Sequence, residues 1–191
     1  RELNVGTVMY IWHGGQEGGR AAAELLCGKR YPSGKLSDTI AYNIEDYPSY
    51  DGFENEEEVI YSDDIFVGYR YFETIKGADE RVNYPFGFGL SYTDFEISNI
   101  TVKNCGEKIK VSADVKNIGD VSGKEVVQVY YSAPQGKLGK PKYELAAFKK
   151  TNELAPGETR TVCMEFDINS MASYDDLGKV AKSAYVLEKG N

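Results

Sequence analysis

Ile109-Lys110-Val111-Ser112-Ala113-Asp114-Val115 alternates apolar and polar residues without a break. A period of two places the apolar side chains on one face of an extended strand and the polar ones on the other. The same texture recurs on both sides of it, at residues 95–102, 126–130, 143–148 and 159–166, and residues 183–187 read as one more strand. Between these runs lie turn-forming clusters: Asn104-Cys105-Gly106, Asn117-Ile118-Gly119-Asp120, Pro134-Gln135-Gly136 and Pro156-Gly157. Short strands at near-regular spacing, separated by such turns, predict an antiparallel β-sandwich over residues 93–191. Its inward set is expected to be Ile109, Val111, Val115, Val127, Val129, Phe148, Val162 and Phe166. Alternation fails at Val126-Val127-Gln128, so the register of that strand is left open by the pattern.

Upstream of residue 93 the texture changes. Val8-Met9-Tyr10-Ile11-Trp12 is a continuous apolar run, as expected of a strand buried on both faces in a parallel sheet. His13-Gly14-Gly15 ends it, and residues 16–26 then read as a helix. Its packing side would carry Ala21, Ala22, Ala23, Leu25 and Leu26, with Glu17 in the first turn and Gly28 as the C-cap. Strand, glycine turn and helix make one α/β crossover. Gly18 and Gly19 are expected to be required by close packing there, where a Cβ would intrude. Tyr31-Pro32-Ser33-Gly34 is a turn, and no regular element is evident from there to Glu58. Ile65-Phe66-Val67-Gly68-Tyr69-Arg70-Tyr71-Phe72 reads as extended. Tyr84-Pro85-Phe86-Gly87-Phe88-Gly89-Leu90 reads as tight turns with rings against backbone.

Composition narrows the function classes. A net charge of −8 over 191 residues disfavours nucleic acid, whose phosphates require a basic face. No apolar run approaches the roughly 20 residues that span a bilayer, so no membrane partner is expected. The chain opens at Arg1 without a charged-then-apolar leader; it reads as a cytoplasmic piece of a longer protein. The three cysteines, Cys27, Cys105 and Cys163, form no CxxC pair and are expected as buried free thiols in a reducing compartment.

Candidate chemistry is sparse. Gly14-Gly15-Gln16-Glu17-Gly18-Gly19 lies where α/β folds cradle phosphates, but matches neither G-x-G-x-x-G nor a phosphate loop, so it reads as a structural turn. Glu54, Glu56, Glu57, Glu58, Asp63 and Asp64 could supply paired carboxylates or a cation site, yet lack the order of a calcium loop and read as a solvated run. His13 has no accompanying Ser or Cys motif and reads as structural. With a single His, a zinc site of the usual His/Cys type is not expected.

Several of these segments together resemble glycoside hydrolase family 3 β-glucosidases. Trp12-His13-Gly14-Gly15-Gln16-Glu17-Gly18-Gly19-Arg20-Ala21, continuing to Gly28 and then Tyr31-Pro32-Ser33-Gly34-Lys35-Leu36, is similar to the family's W-x-P-G-Q-E-G-G…N-P-S-G-K-L. Val67-Gly68-Tyr69-Arg70-Tyr71 and Pro85-Phe86-Gly87-Phe88-Gly89-Leu90-Ser91-Tyr92-Thr93 resemble its V-G-Y-R-Y and P-F-G-x-G-L-S-Y-T. Val115-Lys116-Asn117-Ile118-Gly119, Gly123 to Tyr130, and Leu154-Ala155-Pro156-Gly157-Glu158-Thr159 resemble its fibronectin type III-like module. His13, Gly14, Tyr31 and Asp63-Asp64 depart from the family pattern.

The resemblance implies an α+β chain. Residues 1–92 would be the end of an α/β, parallel-sheet domain with its connecting loop. Residues 93–191 would be an immunoglobulin/fibronectin type III-like antiparallel sandwich lacking its last strand. Family enzymes are retaining, with an Asp nucleophile from a (β/α)8 barrel and a Glu acid/base upstream of the G-Q-E-G-G turn, the carboxyls about 5–5.5 Å apart. Neither segment is in this sequence, so no catalytic, cofactor-binding or metal-binding residue and no cofactor is assigned. The expected role is a non-catalytic scaffold for a β-glucoside-cleaving parent, partnered by the rest of that enzyme and, when isolated, by itself. The alternative is a stand-alone carbohydrate-binding or adhesion module using exposed rings among the fifteen tyrosines.

Overall fold

A computed structural model describes residues 5–53 and 57–190. In chain order it contains helix α1 (Gly18–Leu26), strand β1 (Ile40–Ala41), helix α2 (Tyr50–Phe53), helix α3 (Tyr69–Thr74) and strand β2 (Val82–Tyr84). Then follow β3 (Phe95–Asn104), β4 (Lys108–Asn117), β5 (Val126–Tyr131), β6 (Glu144–Lys150), β7 (Thr159–Asp167), β8 (Ser173–Asp175) and β9 (Ala184–Val186).

The second half is the expected sandwich. One sheet has the order β3-β4-β7, the facing layer is the pair β5-β6, and β8-β9 is a hairpin at one end; every pairing is antiparallel. The core holds Val115 from β4, Val127 from β5, Val162 and Met164 from β7 and Leu154 from the β6–β7 connection. Phe95, Val129 and Ala147 pack against it. Val111, Val115, Val127 and Val162 are buried as alternation requires, and Ile109, Val129 and Phe166 are half-buried. Phe148 is a correction: it is 68% exposed. In the β5–β6 register Val129 opposes Ala147 on the inner face, while Phe148 opposes Gln128 on the outer face. Which face a strand turns inward is fixed by its register with the partner strand, which a pattern of residue types does not reveal.

A buried amide ties the front of the sandwich. Asn117 has no accessible surface. Its Nδ2 donates to the carbonyls of Val121 (2.8 Å) and Leu154 (2.9 Å). Its Oδ1 accepts from Thr93 Oγ1 (2.7 Å) and the Gly119 N–H (3.1 Å). Every donor and acceptor position of the amide is used, so burial leaves nothing unpaired. Gly119 and Gly123 lie against Thr93, and a Cβ at either would collide with it.

At the other end the fully buried Asp175 carboxylate accepts the N–H groups of Gly178, Lys179, Val180 and Ala181 at 2.6–3.0 Å. Burial alone would raise its pKa, but the four donors together outweigh it and hold the carboxyl below the ordinary aspartate value. Glu188 closes the neighbouring loop by accepting from the Lys137 and Leu138 N–H groups and pairing at 2.6 Å with Lys140.

The first half departs further from expectation. Val8-Met9-Tyr10-Ile11-Trp12 forms no strand; Val8, Tyr10, Ile11 and Trp12 are 77%, 62%, 53% and 57% exposed. All strand pairings among the described residues are antiparallel, so no parallel strand lies beside this run to complete a ladder. The helix begins at Gly18, with Glu17 at the N-cap, and it ends where Gly28 turns left-handed at φ 70°. Ala22 and Leu25 are half-buried, whereas Ala21, Ala23 and Leu26 face outward.

The turn before the helix is constrained at a different glycine from the expected ones. A Cβ on Gly18 or Gly19 meets open space, while one on Gly14 would sit 2.8 Å from the Gly18 Cα. Residues 69–74, expected extended, are helical. Gly68 at φ 58° breaks the chain direction, and Phe72 is buried with Ala41 and Ala78 among Tyr47, Tyr71 and Val82. Aromatic residues favour strands by propensity, but a tertiary pocket for Phe72 overrides that preference. The three cysteines are free but exposed, not buried.

Candidate functional site: the seam between the arm and the sandwich

Residues 35–53 and 57–92 form an irregular arm lying along β5 and β6. Its frame is made by few backbone bonds. Leu36 N–H donates to Phe88 O and Gly87 N–H to Leu36 O, both at 2.8 Å, and Tyr42 N–H donates to Arg81 O at 2.9 Å. Tyr47 Oη donates to Thr39 O (2.9 Å) and accepts from the Ala41 N–H (3.0 Å), pinning strand β1. The Pro85-Phe86-Gly87-Phe88-Gly89 turn packs tightly. Gly87 is left-handed at φ 81° and abuts Gln128 of β5, and a Cβ on Gly89 would collide with the Gly34 carbonyl.

Polar links between described residues cross the seam. Lys35 Nζ donates to Gly89 O (2.8 Å) and pairs with the Glu125 carboxylate at 2.9 Å, both side chains less than one-fifth exposed. Arg70 Nε faces Glu144 at 3.3 Å, and the same carboxylate accepts from Tyr131 Oη at 2.7 Å. Tyr69 Oη accepts from the Leu145 N–H at 2.9 Å, and Thr74 Oγ1 from the Lys142 N–H at 2.8 Å. Leu145 lies in β6, and Lys142 just precedes it.

Rings fill the space between these links. Tyr69 lies 4.7 Å from Phe86 and 5.9 Å, edge-on, from Tyr130. Burial raises the Tyr130 hydroxyl to about 12; burial, then the Glu144 carboxylate it donates to, raise Tyr131 as well. Both phenols therefore remain neutral donors near pH 7. Tyr69 and Arg70 of the V-G-Y-R-Y segment are thus packing and docking residues, whereas Leu90 and Tyr92 of the G-L-S-Y segment are 75% and 47% exposed. Tyr174 and Tyr185 of the β8-β9 hairpin are an exposed cross-strand pair, 53% and 76% accessible.

The sequence candidates for chemistry are dispersed. His13 is exposed after the unpaired run. Glu54 and Glu56 lie outside the described residues. Glu57 and Glu58 are exposed and have interaction partners. Asp63 is half-buried, and Asp64, at φ 50°, makes the turn toward Gly68. Among the described residues no three His, Cys, Asp or Glu side chains gather as a metal site. What sequence reading missed is the seam: Lys35, Glu125, Arg70 and Glu144 stand 74–90 positions apart, and no local signal pairs them.

Comparison with known proteins bears on the same regions. Residues 1–92 match the glycosyl hydrolase family 3 C-terminal domain, and residues 125–191 match the fibronectin type III-like domain. Beta-glucosidase A of Butyrivibrio fibrisolvens is 52% identical across the whole chain, which spans 25% of that protein. A beta-glucosidase of Ruminococcus albus is 50% identical over 99% of the chain and 20% of its own length. Among solved structures, a beta-glucosidase from Paenibacillus barengoltzii superposes with a TM-score of 0.87 at 50% identity, covering 94% of this chain and 20% of that one. The chain therefore spans a quarter or less of the length of these relatives.

Proposed function

The chain belongs to glycosyl hydrolase family 3, and from that membership we propose that it is the non-catalytic scaffold of a retaining exo-β-glucosidase. The supporting observation is the seam: motif residues of the resemblance, Tyr69, Arg70, Phe86 and Gly89, are spent on docking the arm to β5 and β6 rather than on a reacting centre. The nucleophile and the proton donor come from the remainder of the parent enzyme, as does the β-glucoside site. The exposed run at 8–12 and the outward face of α1 are the surfaces on which that remainder sits. Burying such apolar side chains contributes roughly 25 cal/mol per Å².

The sandwich itself has an uncovered strip. Ile97 opposes Val115 and Val102 opposes Val111, so both point inward, yet they are 44% and 65% exposed while Val111 and Val115 are buried. A further strand beside β5, over β3, would cover them, and the parent supplies it in this reading. Without it, the isolated chain self-associates through that strip.

The test is direct. Purified chain should not hydrolyse an aryl β-glucoside, because an oxocarbenium-like transition state needs two placed carboxyl groups. Turnover that survives purification and is abolished by substituting a carboxylate of this chain would overturn the scaffold reading. A second reading, glucan binding by the Tyr174–Tyr185 pair, rests on their exposure. It stands if the chain sediments with insoluble β-glucan and Tyr185→Ala does not.

A further inference from the structure

We infer that the arm, residues 35–53 and 57–92, forms one body with the sandwich, and that the mechanical boundary of the molecule is the Tyr31-Pro32-Ser33-Gly34 turn rather than the junction near residue 92. The arm shares a family match with α1, so sequence similarity groups it with the α/β side. Its physical attachments run the other way.

The arm cannot hold itself. Its buried hydrophobic cluster is Ala41, Phe72 and Ala78, with Tyr47, Tyr71 and Val82 half-covered around them. Ordering a residue's backbone costs on the order of 1–2 kcal/mol, and burying one large and two small side chains does not offset that over some fifty residues. What completes the arm is the sandwich, through Lys35–Glu125, Arg70–Glu144, the two N–H bonds from β6 and its preceding loop, and the Tyr69, Phe86 and Tyr130 rings.

Helix α1 is attached differently. It is tied to the rest by Tyr92 Oη donating to Leu25 O at 3.0 Å and, just beyond the helix, by an edge contact of Tyr31 with Tyr92 at 6.2 Å. No residue of α1 is buried. The helix therefore goes with whatever covers its open face, while the arm goes with the sandwich. In the parent, the sandwich would then set the position of the arm's loops, and displacement of one would carry the other.

Hydrogen exchange on the full chain tests this, independently of whether the parent is a β-glucosidase. Val127→Ala removes core contacts whose other members are all in the sandwich. Amides of the arm (Leu36, Tyr42, Gly87) should then exchange faster by the same factor as the sandwich amide of Leu154, roughly tenfold to hundredfold. The amide of Cys27, which donates to Ala23 O at the end of α1, should not change. Unchanged exchange at Leu36, Tyr42 and Gly87 beside accelerated exchange at Leu154 would show two bodies and overturn the inference. Should Val127→Ala fail to fold, graded urea on the wild-type chain gives the same reading. Arm and sandwich amides must then share one denaturant slope, and a shallower slope for the arm overturns it.

Discussion

Replacing the buried amide of Asn117 by a carboxyl is the sharpest perturbation of this fold, because Asn117→Asp keeps the shape and changes only the chemistry. The amide nitrogen now donates to Val121 O and Leu154 O, and Oδ1 accepts from Thr93 and Gly119. In the variant both donated bonds vanish at neutral pH, and two carbonyls face an anion in a site without solvent access. Leaving a buried polar group unsatisfied costs about 1–3 kcal/mol, and a buried charge adds to this, so the loss should be about 3–5 kcal/mol at pH 7. With a urea slope of about 2 kcal/mol per molar, the unfolding midpoint followed by circular dichroism should fall by roughly 1.5–2.5 M.

The loss should also depend on pH. Burial raises the introduced carboxyl's pKa in the folded state above its unfolded value near 3.9, so the folded state binds the extra proton. The penalty is then small below about pH 4, where the protonated group can donate to one carbonyl, and grows as pH rises toward the folded pKa. A midpoint shift under about 0.3 M at pH 7, or the same shift relative to wild type at pH 4 and pH 7, would refute the assignment of Asn117 as a fully engaged buried amide.

Other outcomes follow from the same structure. Gly14→Val should destabilise the turn into α1, since its Cβ would press on the Gly18 Cα, while Gly19→Ala should be neutral or raise helicity slightly by far-UV circular dichroism. Val115→Ala should cost about 2–3 kcal/mol in a denaturant titration, and Phe148→Ser less than about 0.5 kcal/mol; comparable losses would place Phe148 inside after all. Asp175 has a depressed folded pKa, so its stabilisation is present above the unfolded value near 3.9 and is lost as pH falls through the folded one. In Asp175→Asn, protection of the β8-β9 hairpin amides should be weak throughout and lose its dependence on pH below about 4; a wild-type acid profile in the variant would count against the four-donor anchor.

The sandwich was legible in the chain because its cause is local. Strands β3, β4, β6 and β7 each carry their own alternation, which breaks only at the start of β5, and the Asn-, Pro- and Gly-rich turns between them are equally local signals. Four of the eight side chains expected inside, Val111, Val115, Val127 and Val162, are buried accordingly. The family, too, could be read from contiguous motifs. What could not be read depends on neighbours. Phe148 faces outward opposite Gln128, and only the pairing of β6 with β5 reveals it. The run at 8–12 has the composition of a buried parallel strand, but burial requires flanking strands that no residue of the run encodes. Tyr69 to Thr74 coil into a helix because Phe72 finds a pocket built by Ala41 and Ala78, more than thirty positions before it and six after it. The seam is the extreme case. Lys35 and Glu125 are ordinary surface residues in sequence and become a shielded pair only when two segments ninety residues apart are brought together by the packing around them. Period and turn chemistry act over a few residues and are written in order along the chain; pairing partners, facing and docking are properties of the assembled surfaces.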